Sequence, residues 1–339
     1  MDLKDFWYIA AETKELKRLP LAVKILDEWI VLFRNEAGQA IALQDRCVHR
    51  CAQLSKGKVV GNFLRCPYHG WTYDEAGAVV RVPSEGTGDN KVSGRRAIRY
   101  AVTEIDDYIY VRLNQAAPES IRPFRIPHYG RRGWKSIRLK NRFANNVTNC
   151  VENFVDIPHT VSVHPGIFRK EKGEKIEAKV ERKSGSVFVT YRNEKANLGF
   201  FSKLLNPRDR EIRHTDHFHM PNVTSVHYDI SERRQFFISS QSIPVTAEET
   251  LVYTDLTYDY GIFNPISAPI VRQQAQTIID QDIEILGNQM KTIRKYGNRF
   301  MNSEADVIHV LIESIRSELE KGGDPLALPE KTHQIEFWV

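Results

Sequence analysis

The chain has 339 residues, 41% of them hydrophobic and 27% charged, with a formal net charge of +5; these values suit an ordinary globular protein with room for two sizeable cores. No apolar run approaches the roughly 18–20 residues of a membrane span, and the basic residues are scattered among acidic ones, which argues against a nucleic-acid-binding stripe. Four cysteines are too few for a disulfide framework and fit a reducing cytoplasm, and the opening Met1-Asp2-Leu3-Lys4-Asp5 leads into no apolar core of a secretory signal.

Val23-Lys24-Ile25-Leu26 and Trp29-Ile30-Val31-Leu32-Phe33 read as strands, Asn35-Glu36-Ala37-Gly38 as a turn, and Ile41-Ala42-Leu43 as the next strand. That strand leads into Cys47-Val48-His49, and Cys66-Pro67-Tyr68-His69 follows after residues 50–65. Trp71-Thr72-Tyr73 then runs through Asp74-Glu75-Ala76-Gly77 into Ala78-Val79-Val80, a hairpin pattern. Residues 84–94, rich in Gly, Ser, Asp and Asn, read as an exposed loop. Ile98 to Val102 and Tyr108 to Val111 close a small β domain near Asn114, and the Pro-punctuated stretch from Gln115 to Pro127 reads as a linker.

Beyond the linker the pattern changes. Trp134 to Leu139 is strand-like, and Asn145 to His164 mixes polar and apolar residues at roughly helical spacing. Residues 176–192, Arg213 to Met220, Gln235 to Ile243 and Thr250 to Tyr260 alternate as strands do. Ser267 to about Tyr296, and Ala305 to Leu319, follow a helical period. The tail from Gly322 to Val339 reads as irregular, with Phe337-Trp338-Val339 as a docking segment. Antiparallel strands flanked by helices make an α+β domain. The expected division is an all-β domain over residues 1–115 and a sheet-plus-helices domain over 116–339.

Each of the two Cys/His loops brings one thiolate and one imidazole. Zinc sites usually group like ligands, as C-x2–4-C and H-x3–5-H pairs. A mixed pair in each loop suits a [2Fe–2S] cluster whose irons differ, with two Cys on one and two His on the other. A mixed structural zinc site is the alternative; it is colourless, whereas the cluster is red-brown and gives an EPR signal when reduced. Cys47-Val48-His49-Arg50 and Cys66-Pro67-Tyr68-His69-Gly70-Trp71 resemble the cluster loops of Rieske non-haem iron oxygenases, in their ring-hydroxylating and demethylating branch. The resemblance implies that Cys47, His49, Cys66 and His69 hold the cluster. Cys51 stands where that family usually has Gly or Ala. Respiratory Rieske proteins bridge an extra Cys in each loop, but Tyr68 leaves Cys51 no such partner, so a buried thiol is expected there.

The second motif runs from Glu152 to His164. Two His and a carboxylate on one face of a metal make the facial triad of non-haem Fe(II) oxygenases. His159 and His164 are five residues apart, about 140° around an ideal helix, but Pro158 and Pro165 predict a bent segment in which the rings converge. Spacing alone leaves the pair open between ligands and ordinary polar histidines. The order Glu152-Asn153-Phe154, then Asp156, then His159-x4-His164 resembles the iron-ligand segment of the same family, in which members often carry one further residue between Phe154 and Asp156. The resemblance implies that His159 and His164 bind Fe(II) and that Asn153 walls the iron site; Phe154 reads as core. Asp156, three residues before His159, is placed either as an exposed Asp at a helix start or as the carboxylate that orients the imidazole. In the family this Asp also reaches a cluster histidine of the neighbouring subunit and bridges electron flow, which implies a ring-shaped homotrimer.

The third ligand is sought on the helix Thr277 to Gly287, which offers Asp280, Asp282 and Glu284. Ile279, Ile283, Leu286 and Met290 form an apolar stripe, and Asp282 borders it while Asp280 and Glu284 point away. A carboxylate on that edge needs a metal, an Arg or a helix end to satisfy it. Gln281-Asp282 resembles the family's late ligand segment, which favours the metal.

The resemblance as a whole implies the oxygenase component of a multi-component system. A separate reductase, with or without a ferredoxin, would pass electrons from NAD(P)H to the cluster and on to Fe(II), which activates O2 beside a small organic substrate. A mildly basic surface suits an acidic electron carrier. The short chain and the Asn153-Phe154-Val155-Asp156 segment resemble the purine, vanillate and dicamba demethylases, so hydroxylation or N/O-demethylation by a monooxygenase is expected; arene cis-dihydroxylation is the alternative within the class. Residues 198–265 are expected to wall the substrate pocket, with Phe200, Phe201, Phe236, Phe237 and Tyr258 as available apolar surface. Two other classes compete. A pure electron-transfer Rieske protein would hold about two irons per chain against about three for the oxygenase, and a zinc-stabilised ligand-binding module would hold none.

Overall fold

Short alternating runs broken by two-residue turns make the first part of the chain almost wholly β. Leu26-Asp27 and Asp106-Asp107 both take positive φ at their two central positions, the turn geometry that matches strand twist in tight hairpins and that Asp tolerates well. The structure, a computed structural model, describes residues 1–86, 94–165, 167, 173, 175–192, 213–231, 234–261 and 264–339. They fall into two units, Lys4–Arg125 and Ile126–Val339, the latter including Met1–Leu3.

In the first unit, β1 (Trp7–Glu12), β2 (Leu21–Ile25), β3 (Glu28–Arg34), β4 (Ala40–Gln44), β9 (Arg99–Ile105) and β10 (Tyr108–Arg112) form a six-stranded sheet in the order β1-β10-β9-β4-β3-β2. A second, four-stranded sheet runs β5 (Lys58–Val60), β6 (Phe63–Arg65), β7 (Thr72–Tyr73), β8 (Val79–Arg81). Val31, Phe33, Leu43, Leu54, Leu64 and Tyr73 pack between them as one core. The loop after β4 and the turn between β6 and β7 are the two Cys/His segments, each anchored by strands whose inner residues are fully buried.

The second unit is built on an eight-stranded antiparallel sheet. It comprises β11 (Lys135–Phe143), β12 (Lys175–Lys183), β13 (Ser186–Arg192), β14 (Arg213–His219), β15 (Val223–Ser231), β16 (Arg234–Thr246), β17 (Glu249–Tyr258) and β18 (Lys331–Trp338), in the order β11-β17-β16-β15-β14-β13-β12-β18. Its helices are α1 (Val147–Asn153), α2 (His159–Val163), α3 (Asn264–Tyr296) and α4 (Val307–Glu320). Val271, Ile279 and Leu286 of α3 pack on Ile137, Leu139, Val252 and Leu256 at the β11–β17 end. Ile308, Leu311, Ile312 and Ile315 of α4 cover Val180, Val189 and Ile335 at the other. This is the α+β arrangement read from the sequence: an all-β domain, then an antiparallel sheet with helices.

Five strands escape the sequence reading: β5 and β6, three residues each, and β1, β15 and β18. The tail is not irregular: β18 pairs with β12 from Lys175↔Trp338 to Arg182↔Lys331 and buries Ile335 and Phe337. Its opening Lys331-Thr332-His333-Gln334 is polar on both faces, so strand alternation is invisible there and only pairing reveals it. In β15 the inward residues include Thr224 rather than a run of aliphatics, which weakens the same signal. Within β1, Tyr8 to Ala11 are all buried, a short continuous run without alternation. No helix among the described residues is long and apolar enough to cross a membrane.

Candidate metal centres

The first candidate centre lies in the Lys4–Arg125 unit. Cys47 and Cys66 are buried, and each thiol lies in the other's surroundings. The His49 ring is half-buried and that of His69 exposed, with centroids 4.6 Å apart in an edge-on arrangement. The two loops thus bring their thiols together on the inner side and their imidazoles together on the outer side. The Tyr73 hydroxyl donates to Cys47 Sγ at 3.1 Å and accepts from the Val48 N–H at 3.0 Å, and His49 stacks on Trp71 at 4.6 Å. Burial pushes the Cys66 thiol up, against the N–H groups of Tyr68 and His69 that favour the thiolate. Burial, with His69, Arg50 and Arg95 nearby, pushes His49 down and keeps its ring neutral, the state a metal requires. His49 Nδ1 is buried with no hydrogen-bond partner. An orphaned imidazole nitrogen beside a thiol pair fits the mixed ligand set of a [2Fe–2S] cluster.

Gly70 follows His69 at φ +72°, with Pro83 Cγ only 3.1 Å from where a Cβ would stand, so the loop closes there through a residue without a side chain. Cys51 corrects an expectation. It is exposed rather than buried, accepts from Arg46 Nε at 3.3 Å, and has φ +55°. Its backbone N–H closes the first loop on Cys47 O at 2.9 Å, which forces the left-handed turn and aims the thiol outward.

The second candidate centre lies in the Ile126–Val339 unit. Asn146 caps α1 by accepting from the Asn149 N–H, and α1 ends at Asn153. One turn of helix follows at α2, and His164 leaves it with φ −118° and ψ 56°. That break swings the His164 ring to within 5.2 Å of His159. Asp282 reaches the same point from α3: Oδ1 lies 3.1 Å from His164 Nε2 and 3.5 Å from His159 Nε2. Neither contact is aligned, so this buried oxygen has no hydrogen-bond partner. One ligand atom from each of the three residues lies within 4.8 Å of the others. Converging acceptors with an orphaned buried carboxylate oxygen fit a divalent cation, and two His with one carboxylate are the donor set of Fe(II).

The surroundings are acidic and favour positive charge at this point, a proton that a bound cation would displace. Burial pushes His159 down, but Asp156 and Asp282 outweigh it and lift the ring to about 9. Burial pushes Asp282 up, and contacts with His159, His164 and Asn153 hold it below the usual range. Asp156 Oδ2 sits 3.2 Å from His159 Nδ1 and accepts from the His159 N–H at 3.3 Å. On α3, Asp280 and Glu284 face water, and Gln276 Nε2 donates to Asp280 at 2.8 Å.

A cavity of about 150 Å³ opens beside these residues, room for about one aromatic ring. Phe154, Val226, Ile238, Leu256, Ile278 and Ile279 supply its apolar wall, and Thr224, Ser240 and Thr254 its hydroxyls. Phe154 therefore lines the cavity as well as packing on the core. Phe236, Phe237 and Tyr258 do not line it, because Phe237 faces the opposite side of the sheet and the other two pack near Tyr260. Phe200 and Phe201 lie outside the described residues. The sequence reading passed over His214 and Asp216, which line the cavity as a buried pair, Nε2 to Oδ1 2.9 Å, with the Tyr191 hydroxyl donating to Asp216 at 2.8 Å. The available signal was two chemistry-bearing residues at i and i+2 on one strand, hence on one face.

Residues 6–101 match the Rieske [2Fe-2S] domain family, and residues 143–321 match the vanillate O-demethylase oxygenase C-terminal domain family. Among curated proteins, the methylxanthine N3-demethylase of Pseudomonas putida is 35% identical over 176 residues, 48% of each chain. The oxygenase component of dicamba O-demethylase from Stenotrophomonas maltophilia is 32% identical over 181 residues, 52% of each chain. A putative toluene-4-sulfonate monooxygenase iron-sulfur subunit of Comamonas testosteroni is 30% identical over 185 residues, 54% of this chain and 52% of its own. The matched stretch thus spans about half the length of these relatives. Solved structures share the fold across nearly the whole chain. Dicamba monooxygenase bound to dicamba superposes with a TM-score of 0.79 at 20% identity, over 94% of this chain and 98% of that one. Pseudomonas putida CBB5 NdmA with caffeine does so at 0.80 and 22%, over 96% and 94%.

Proposed function

The chain belongs to the Rieske oxygenases that carry a vanillate O-demethylase oxygenase C-terminal domain, and on that footing we propose that it is the oxygenase component of a monooxygenase or demethylase system acting on a small, largely apolar ring compound. The carrying observation is the convergence of His159, His164 and Asp282 on one point at the wall of an apolar cavity. A pure electron carrier has no use for that set. Residues 1–115 are assigned as the cluster domain, and residues 116–339 as the catalytic domain.

When bound, the cluster supplies single electrons and the mononuclear Fe(II) binds and activates dioxygen. Cys47, Cys66, His49 and His69 would hold the cluster, and His159, His164 and Asp282 the iron. Asp156 keeps the His159 ring turned so that Nε2 faces Asp282. We assign it as the electron bridge to a cluster histidine of a neighbouring subunit in a homotrimer. Phe154, Ile238, Leu256 and Ile279 exclude water and hold the substrate ring, while Asn153 keeps a polar edge on the metal side. Electrons come from NAD(P)H through a reductase, with or without a ferredoxin.

The test is turnover with a surrogate reductase and NADH over a panel of methoxy- and N-methyl-aromatic compounds, with formaldehyde release and oxygen uptake as readouts. Formaldehyde matched to oxygen consumed supports demethylation; a cis-diol product assigns dihydroxylation instead. No oxygen uptake with any compound, from protein holding about three irons per chain, would overturn the reading. Asp156→Ala is expected to keep both metals and lose turnover.

A further inference from the structure

The two imidazoles of the second centre are oriented by different chemistry. His159 gives its Nδ1 edge to a carboxylate, Asp156 Oδ2 at 3.2 Å. His164 gives its Nδ1 edge to an amide, Gln281 Oε1 at 2.8 Å. An amide oxygen only accepts, so Nδ1 carries the proton and Nε2 keeps the lone pair that faces Asp282 Oδ1 at 3.1 Å. His164 is 1% exposed, so no bulk water replaces that acceptor if it is lost.

Gln281 and Asp282 are consecutive on α3 and project about 100° apart. Asp282 faces the cavity and Gln281 reaches sideways to His164, 117 positions away in the chain. A single helix therefore supplies one ligand and the group that aims another. The charges of an occupied site also balance: ligation requires both imidazoles neutral, the Asp156 and Asp282 carboxylates offset a divalent ion, and an amide at position 281 leaves that balance at zero.

We infer that Gln281 is a positioning residue for the second metal centre, which sets the His164 tautomer and, by being neutral, the net charge of the occupied site. The inference rests on the reading that His159, His164 and Asp282 bind a divalent ion, and the test separates the two. Cobalt(II) is titrated into whole protein that retains its Rieske cluster and has been stripped of mononuclear iron. The cobalt d–d absorbance reports binding, and the Rieske visible spectrum reports folding. Gln281→Leu is expected to weaken cobalt binding by about 10–100-fold. Gln281→Glu, which keeps an acceptor and adds charge, is expected to bind at least as tightly as wild type.

A residue that merely fills space would give two equally weakened variants, and that result overturns the assignment, as does unchanged affinity in both. Should Gln281→Leu lose the Rieske spectrum, Gln281→Met, of similar length and without the amide oxygen, takes its place with the same expectation. If wild type and His164→Ala alike take up no cobalt, the metal reading itself fails, and this inference with it.

Discussion

Asp282 does what its helical neighbours cannot, because only it is turned inward. Its side chain is buried against two imidazoles, whereas Asp280 and Glu284 are solvated. Asp282→Ala is therefore expected to empty the mononuclear site while leaving the Rieske spectrum, and Asp280→Ala to change stability by no more than about 0.5 kcal/mol and keep its iron. Iron counts on the two purified variants decide this, and iron lost from the Asp280 variant alone would show the ligand assignment wrong. Cys51 is the second residue whose environment matters. A left-handed φ costs a non-glycine residue about 1–2 kcal/mol, and the exposed thiol repays none of that through packing. Cys51→Gly should keep the cluster spectrum and resist thiol reagents. Loss of the spectrum would mean that the thiol supports the cluster.

Among the elements, α1 is held from both sides near the second centre. Asn145 Nδ2 donates to Leu286 O of α3 at 2.8 Å. On α4, His309 Nδ1 lies 2.8 Å from Glu152 Oε2, one residue before Asn153. Burial pushes His309 down, but Glu152, then Glu313 and Asp306, outweigh it and the ring is raised above its ordinary value. A raised folded-state pKa means the ion pair stabilises fully below the unfolded value of about 6.5 and fades as pH rises through the folded one. His309→Gln should thus cost stability at pH 6, and its gap to wild type should narrow in alkali. Urea unfolding at pH 6 and pH 9 measures both; a gap that widened with pH would contradict the ion pair. At the far edge of the sheet, Phe337 on β18 is buried in the core under α4. Phe337→Ala should cost about 3–5 kcal/mol, where a loosely docked tail would show almost nothing.

At the scale of the whole molecule, the two candidate metal centres, of different ligand chemistry, predict two kinds of metal loss. A hard chelator acting on the oxidised protein is expected to remove about one iron per chain, from the His/His/Asp site, and to leave about two with the red-brown spectrum intact. Oxygen uptake should stop with that first iron and return on adding Fe(II). Loss of colour in parallel with the first iron would mean that this iron comes from the cluster, not from the His/His/Asp site. The cavity adds an expectation about substrates. Its wall is apolar except for hydroxyls and the His214–Asp216 pair, so His214→Phe should raise KM for polar ring substrates more than it lowers kcat. The split is readable on the same compound panel.

The sequence by itself determined what obeys short-range rules. Strand alternation, helical period and turn chemistry outlined most strands and the two long helices, because each is written within a few residues of itself. The Cys/His loops were legible for the same reason: in each, the two donors stand two or three residues apart, on strand ends that hold them. Helical phase likewise put Asp282, and not Asp280, on the inner edge of α3. Only the tertiary structure brought Asp282 to His159 and His164, gave His164 its amide partner, turned His214 into the cavity and sent the Cys51 thiol outward. It alone made a strand of the polar tail, through pairing with β12. These outcomes depend on which surfaces meet across long stretches of chain, and the energy that decides them, burial and pairing, belongs to the contact and not to either segment alone.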